Sequence, residues 1–224
     1  MIGNMKAIGS AMLSLALVLS LPLSALAQEK TGTAFTVDDP TGRNTVTFKS
    51  VAPLEDIVGT SNRVSGTLHF DPSKPEAGGS GTLSVPVASL NTGIPLRDEH
   101  LAGAAWLDAK GSPNITFTFS EVRDVNPVKV TDEAKTYDVV AVGDFSIKGK
   151  TKRMSVPARI TWLKESESTK QRQPGDLLAA RATFDVKLAD FGISGPAGMD
   201  LIGSKVGESV TVEFSVVASS APAK

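Results

Sequence analysis

The stretch Ile115-Thr116-Phe117-Thr118-Phe119-Ser120-Glu121-Val122 alternates apolar and polar side chains. Alternation with a period of two is typical of a β-strand that buries one face and exposes the other. Comparable stretches recur along the chain and are separated by residues that favour turns. They occupy residues 34–37, 45–48, 54–58, 64–70, 82–87, 135–147, 154–163, 178–188 and 209–217. The sequence therefore predicts an all-β protein.

The spacing of these stretches limits the architecture. Strands and helices do not alternate, so a βαβ fold with a parallel sheet is excluded, and an antiparallel sandwich or barrel remains. A barrel removes the unpaired edges of the sheet. Eight strands would enclose room for one small ligand. We expect an extended antiparallel β-barrel of about eight strands with one short helix.

Residues 95–107 are the one marked break in the alternation. Pro95 suits the first turn of a helix, because its φ is fixed at a helical value. Four charged or titratable side chains, Arg97-Asp98-Glu99-His100, follow Leu96 and precede Leu101. This pattern predicts a short helical turn with an apolar side and an ionic side, lying against the sheet.

The N-terminal residues 1–27 have the pattern of a secretory signal peptide. Lys6 precedes an apolar run over residues 11–26, and Ala25-Leu26-Ala27 forms a small-residue cleavage site. We therefore expect export to a periplasm. The remaining chain divides into a lead-in at residues 28–33, a barrel domain over residues 34–218 and a disordered tail at residues 219–224. No second apolar run is long enough to span a membrane.

Composition and motifs narrow the function classes. The chain has no cysteine, and its formal net charge of −1 does not provide the basic surface that nucleic acids require. It has two histidines, His69 and His100, and neither is spaced with a nucleophile in a recognisable motif. Asp98, Glu99 and His100 diverge around a helical turn, so surface ion pairing explains them better than a metal site. We expect no enzyme, no catalytic residues, no metal and no cofactor.

The apolar faces of the strands allow two interpretations. They can fill a core, or they can line a cavity that holds a ligand. Both arrangements need the same kinds of side chain, and the sequence leaves both open. Aromatic residues make up 5% of the chain, so bulky core fillers are scarce, which favours a cavity.

Several segments, taken in order, resemble the YceI-like family of exported barrels. They are Arg97-Asp98-Glu99-His100-Leu101 followed by Trp106-Leu107-Asp108, the strand start Pro113-Asn114-Ile115-Thr116-Phe117, the hairpin 143–152 (Gly-Asp-Phe-Ser-Ile-Lys-Gly-Lys-Thr-Lys) and the late segment 184–192. The resemblance implies an extended, lipocalin-like barrel enclosing an apolar tunnel. It also implies a bound polyisoprenoid chain, such as a quinone side chain or a related lipid, and no catalysis.

From the alternation and this resemblance we predict a set of lumen residues. They are Phe48, Leu68, Phe70, Leu83, Val85, Phe117, Phe119, Val140, Val142 and Phe145, with Leu101 and Trp106 at the tunnel end. Arg97, Asp98 and His100 would fix the helical turn by hydrogen bonds or contact a polar head group. The expected partner is an isoprenoid lipid or quinone-like small molecule, and the protein would be a monomer or a homodimer. The alternative is a ligand-free structural or interaction module, which predicts a filled interior and an exposed apolar patch.

Overall fold

The computed structural model describes residues 32–221. The predicted signal peptide, most of the lead-in and residues 222–224 lie outside the described residues. Within them the chain forms ten strands, two α-helices and three short 3-10 helices. The strands are β1 (Thr33–Val37), β2 (Thr45–Val51), β3 (Asp56–Ser61), β4 (Ser65–Phe70), β5 (Gly79–Pro86), β6 (Asn114–Val130), β7 (Ala134–Ile147), β8 (Lys150–Leu163), β9 (Leu177–Lys187) and β10 (Ser209–Ser219). The helices are α1 (Pro95–Ala102) and α2 (Glu167–Lys170), and the 3-10 helices are Pro75–Ala77, Val87–Ser89 and Leu188–Phe191.

The strands form one antiparallel sheet that closes on itself. Its order is β1-β4-β5-β6-β7-β8-β9-β10-β2-β3, and β1 also pairs with β10. β1 and β2 follow one another along the same edge of β10, with Thr36 opposite Ser219 and Thr45 opposite Ser215. β3 and β4 lie beside β2 and β1 in the same way. β1 and β2 together take the place of one strand in the barrel, and so do β3 and β4. The ten strands therefore form a closed eight-stranded, lipocalin-like barrel. The predicted fold class is confirmed.

A buried asparagine covers the break between β1 and β2. Asn44 is 1% exposed. Its side-chain amide donates to the carbonyl of Val217 (3.2 Å), and its side-chain oxygen accepts from the amide of Val217 (2.8 Å). One side chain thus satisfies both backbone groups of a β10 residue at the point where neither β1 nor β2 pairs with it. This matters because an unpaired backbone group costs free energy when it is buried.

A bulge in β6 determines which side chains face the interior. The ladder to β7 shifts by one residue between Phe119 and Glu121, so Ser120 is an extra residue. A regular strand would have turned Glu121 inward after Phe119, because side chains alternate with a period of two. With the bulge, Val122 packs against the core instead. Glu121 lies outside, where Arg153 approaches it to 3.6 Å.

Both helices lie in connections between strands. α1 begins at Pro95, as the sequence predicts, in the long connection between β5 and β6. α2 was not predicted, because residues 164–176 are charged, poor in apolar side chains and have the composition of a loop. It begins with a capping box in which the Ser166 hydroxyl accepts from the amide of Thr169 (3.2 Å).

Candidate functional site

The barrel interior holds a cavity of about 1090 Å³. This volume is just above the usual range of about 300–1,000 Å³ for pockets that bind small molecules. Along β7 the lining side chains run from Val139 to Ile147. Those eight steps cover about 26 Å of strand at the usual rise, or about 20 Å along the axis of a barrel with normal strand tilt. The cavity is therefore long enough for an extended chain.

The cavity is closed at one end by a packed core. Phe35, Val37, Tyr137, Trp162 and Ala218 are buried and belong to the hydrophobic core, and none of them contributes to the cavity wall. These residues lie at the end where β6 meets β7 and β8 meets β9. The interior of the barrel is thus filled by packed side chains at one end and contains the cavity along the rest of its length.

The other end of the cavity is its mouth. It lies between α1, the β2–β3 turn and the connection from β9 to β10, all of which contribute to the wall. Ile94, Leu96 and Met199 line the cavity and are also exposed to solvent. A ligand can therefore enter between these three side chains without passing through the sheet.

Glycines in neighbouring strands make room for the large side chains of the wall. A Cβ added at Gly81 would lie 2.8 Å from the Phe119 ring and 2.9 Å from Leu68. A Cβ added at Gly143 would lie 2.4 Å from the Cα of Phe119 and 2.3 Å from the carbonyl oxygen of Thr118. Phe119 occupies space that any other residue at these two positions would fill.

The aromatic part of the wall is centred on Phe145. Its ring centroid lies 5.7 Å from that of Phe184 and 5.8 Å from that of Phe191, both in edge-on geometry. The ring centroid of Phe117 lies 6.2 Å from that of Phe145 in tilted geometry, and Phe117 stacks on Phe119 at 5.7 Å. Such geometries are favourable for aromatic pairs, so the packing holds these rings in defined positions.

Ten of the twelve predicted lumen residues lie on the cavity wall. They are Phe48, Leu68, Phe70, Leu83, Val85, Leu101, Trp106, Phe117, Phe119 and Phe145. The structure brings them together from β2, β4, β5, β6, β7 and the connection that contains α1. Whether they contact a ligand stays a prediction.

The prediction of Val140 and Val142 as lumen residues is wrong. Val139 and Ala141 line the cavity, so the two valines that follow them in β7 face the outside of the sheet. Residues 139–142 are apolar on both faces, and alternation alone does not separate the two faces there. Phe145 could have done so, because it shares a face with Val139 and Ala141.

The sequence interpretation also missed part of the wall. β8, β9 and β10 contribute alanine, larger aliphatic and aromatic side chains, including Ala158, Ile160, Ala180, Phe184 and Phe214. The signal was present, because residues 178–188 and 209–217 were predicted to alternate. The small alanines leave the space that the cavity occupies.

Arg97 and Asp98 anchor α1 to the chain that precedes it. One carboxylate oxygen of Asp98 accepts from both the amide (2.7 Å) and the hydroxyl (2.5 Å) of Thr92. Arg97 Nε donates to the same hydroxyl at 2.9 Å, and another Arg97 nitrogen donates to Glu55 at 2.5 Å. These bonds fix the helical turn beside the mouth, and the Arg97 side chain also lines the cavity.

His100 is placed differently from its two neighbours. It is exposed and lines the mouth of the cavity, whereas Asp98 is not part of the wall. Its side chain therefore lies where the cavity opens to solvent, and its contact with a head group stays a prediction. Within residues 32–221, no group of three or more His, Cys, Asp or Glu side chains is arranged to hold a metal ion.

The strongest electrostatic perturbation is far from the mouth. Asp39, in the β1–β2 turn, has a side chain only 1% exposed. Burial raises the pKa of this carboxyl, but hydrogen bonds from Arg43 and Thr41 outweigh burial and lower its pKa to about 2. Arg172, from the β8–β9 connection, approaches the carboxylate to 3.3 Å. The cluster ties two connections together at the closed end and does not line the cavity.

No helix within residues 32–221 is long and apolar enough to cross a membrane.

Residues 35–218 match the model of the family described as the YceI-like domain. A protein of Pseudomonas putida strain F1 named "UPF0312 protein" is 31% identical over 140 residues, which cover 62% of this chain and 65% of the relative. A UPF0312 protein of strain W619 is 34% identical with the same coverage. The matched region thus spans slightly less than two thirds of the length of these relatives.

Solved structures share the fold. BcnA of Burkholderia cenocepacia has a TM-score of 0.61 and 24% identity, with 81% of this chain and 100% of that chain covered. A polyisoprenoid-binding domain from Saccharophagus degradans, implicated in plant cell wall breakdown, has a TM-score of 0.57 and 14% identity, with 85% and 99% covered. At these identities the likeness shows a common fold alone.

Proposed function

The chain belongs to the YceI-like domain family, and from this premise we propose that it binds a polyisoprenoid or other long apolar lipid chain in its barrel cavity, without catalysis. The observation that carries the proposal is the cavity of about 1090 Å³ with its aliphatic and aromatic wall. Each CH₂ group removed from water contributes about 0.8 kcal/mol, so a tail of several isoprene units needs no polar partner inside the barrel.

The position of the polar groups suggests how such a ligand is oriented. Several residues of the cavity wall near the mouth have charged or titratable side chains, among them Arg97, His100 and Lys205. The closed end, by contrast, is filled by apolar core side chains. We infer that the tail points toward the closed end and that a head group, such as a quinone ring, stays at the mouth.

The ligand-free alternative predicts a filled interior. The cavity supports lipid binding over that alternative, because side chains that only fill a core pack closely and leave few voids larger than a water molecule. The exposed apolar residues at the mouth fit either function and do not discriminate between them.

The test uses the full chain, delipidated, with isoprenoid alcohols of increasing length as probes. The chain has two tryptophans, Trp106 on the cavity wall and Trp162 in the packed core. In a Trp162→Phe variant, the fluorescence of Trp106 alone should change saturably with each probe. Affinity should rise about fourfold for each further buried CH₂ until the cavity is full.

A Trp106→Phe variant is the matched control, because its remaining tryptophan lies in the core and should not respond. Affinity that is independent of chain length, or a delipidated protein that takes up none of the probes, would contradict lipid binding. If the probes bind as expected, mass spectrometry of the lipid extracted from protein purified from its native compartment identifies the cargo.

We also propose that the mature protein acts in the periplasm. The support is the signal-peptide pattern of residues 1–27 and its cleavage site at Ala25-Leu26-Ala27. N-terminal sequencing of the protein from a periplasmic fraction should begin at Gln28. Recovery of full-length protein from the cytosol alone would contradict this location.

A further inference from the structure

The large apolar side chains that the barrel exposes are concentrated around the mouth. Of the eight that are most exposed among residues 32–221, six lie on elements that surround the opening. They are Val51, Leu54, Val58, Ile94, Leu96 and Met199, and we call this set the mouth rim. Exposed apolar patches of this kind mark interaction surfaces, whereas single exposed apolar residues need no explanation.

The two remaining exposed residues provide an internal comparison. Val128 is 52% exposed and Val130 is 55% exposed, at the β6–β7 hairpin. This hairpin is at the closed end of the barrel, away from the mouth. Val128 and Val130 are as exposed as several rim side chains but lie at the opposite end of the barrel. Substituting them therefore shows whether vesicle binding depends on the position of the apolar side chains or only on their apolar character.

The rim belongs to three segments that are tied together: the β2–β3 hairpin, α1 with the residue before it, and the connection between β9 and β10. Arg97 on α1 pairs with Glu55 in the β2–β3 turn at 2.5 Å. In the same turn, the amide of Leu54 donates to the carbonyl of Ser204, on the connection between β9 and β10, at 3.1 Å. These contacts hold the three segments in one fixed arrangement. The exposed side chains can therefore contact a partner without a rearrangement of the protein.

The rim is continuous with the cavity wall. Ile94, Leu96 and Met199 each face solvent and also line the cavity. An apolar path therefore leads from inside the barrel to its outer surface. A lipid chain that left the cavity into water would lose about 0.8 kcal/mol for each exposed CH₂, whereas one that left directly into an apolar phase would not.

The charged side chains at the rim carry both signs: besides two ion pairs there are the acidic Glu99 and the basic Lys205, both on the cavity wall. Arg97 pairs with Glu55, and Lys49 lies 3.2 Å from Asp56. A surface with balanced charges has no strong attraction for an anionic partner. The chemistry that matches it is an apolar layer beneath a zwitterionic surface, into which side chains insert as the apolar faces of interfacial proteins do.

We propose that the mouth rim docks onto the surface of a phospholipid bilayer, so that a lipid chain passes between the bilayer and the cavity. This proposal rests on the proposed function, since it gives the cavity a source of cargo. The side chains of Leu54 and Leu96, which are 71% and 61% exposed, insert below the head groups. Docking depends on apolar contact and changes little with salt.

The test measures flotation of the full chain with phosphatidylcholine vesicles. A Leu54→Asp/Leu96→Asp variant should bind vesicles at least about tenfold more weakly, because two apolar side chains become charged in the contact. The matched control is Val128→Asp/Val130→Asp, which makes the same changes at the closed end and should float as the wild type does. Both variants should keep the wild-type unfolding midpoint, because all four side chains are exposed.

Two results would overturn bilayer docking. One is a wild-type protein that does not float with the vesicles, as expected if the rim binds another protein instead. The other is an equal loss in the rim variant and the control. Uptake of isoprenoid alcohols from solution is measured in parallel: vesicle binding without any uptake would refute the proposed function and leave docking intact, whereas uptake without vesicle binding would do the reverse.

Discussion

The ring of Phe48 lies directly over Gly59, its partner across the β2–β3 ladder. A Cβ added at Gly59 would be 2.2 Å from the Cζ atom of Phe48 and 2.3 Å from Cε1. Phe48 is also part of the cavity wall. The absence of a side chain at Gly59 therefore determines where the ring lies, and with it the shape of the cavity near the mouth.

A Gly59→Ala substitution should change ligand binding more than stability. The atoms that the new methyl group meets are at the far end of the Phe48 side chain, and the ring can turn into the empty cavity. We expect a change of less than about 1 kcal/mol in the free energy of unfolding and weaker binding of isoprenoid alcohols. Urea unfolding and the Trp106 fluorescence titration measure the two effects separately. Unchanged binding would show that the ring does not move inward.

A Gly143→Ala substitution should have the opposite profile. Its Cβ would meet backbone atoms of Thr118 and Phe119, which cannot turn away. We expect the free energy of unfolding to fall by about 2–3 kcal/mol, because relief requires the β6–β7 ladder to shift. Urea denaturation compares this variant with Gly59→Ala. Equal stability of the two variants would contradict the distinction between ring and backbone contacts.

An Ala180→Phe substitution tests whether the cavity is where the ligand binds. Ala180 lines the cavity, so a phenyl ring there fills space that the ligand would need. We expect binding of isoprenoid alcohols to weaken at least about tenfold, while the thermal midpoint stays the same or rises because the ring packs into a void.

The matched control for that substitution is Ala179→Phe. Ala179 is the preceding residue of β9, and its side chain points to the opposite face of the sheet. It adds the same ring outside the barrel, so binding should stay at the wild-type level. Full binding by Ala180→Phe, or equal losses in both variants, would contradict a ligand in the cavity.

The positions of the strands and of α1 were predictable because they depend on local patterns. Ile115, Phe117 and Phe119 alternate with polar residues, and the structure turns all three inward. Pro95 likewise begins the helix that its fixed φ predicts. Such signals are contained in a few neighbouring residues and do not depend on the rest of the fold.

Other features depend on contacts between distant segments. The bulge at Ser120, which turns Val122 inward in place of Glu121, is visible only from the pairing with β7. The inner face of residues 139–142 was assigned wrongly because both faces are apolar. The choice between a filled core and a cavity depends on how closely eight strands approach each other, and apolar composition is the same in either case.

The pair formed by Asn44 and Val217 is a further long-range feature, across 173 positions of sequence. An Asn44→Ala substitution would leave both backbone groups of Val217 without these partners in a buried site. We expect the free energy of unfolding to fall by about 2–4 kcal/mol. Urea denaturation measures it, with Asn114→Ala, at an exposed position, as the control. A loss as small as that of the control would show that water replaces both bonds.

The cluster around Asp39 should make stability depend on pH in the acid range. The pKa of this carboxyl is lowered from 3.8 to about 2 in the folded protein. The charged carboxylate therefore stabilises the fold fully above its unfolded pKa, and this contribution disappears as the pH falls from about 4 to about 2. The shift of nearly two pKa units corresponds to about 2.5 kcal/mol, because one unit corresponds to about 1.4 kcal/mol. Screening by solvent around this surface turn reduces the contribution to about 1–2 kcal/mol.

An Asp39→Asn substitution tests this contribution. At pH 7 the variant should be about 1–2 kcal/mol less stable than the wild type, and the difference should shrink as the pH approaches 2, because protonation then removes the same charge from the wild type. Urea denaturation from pH 7 to pH 2 measures the difference. Asp200→Asn, which neutralises an exposed carboxylate, is the control and should keep the wild-type profile. Binding of isoprenoid alcohols at pH 7 should not change, because Asp39 lies at the closed end and away from the cavity wall. A difference in the free energy of unfolding that is the same at every pH would show that the amide disturbs packing and that the lowered pKa contributes nothing.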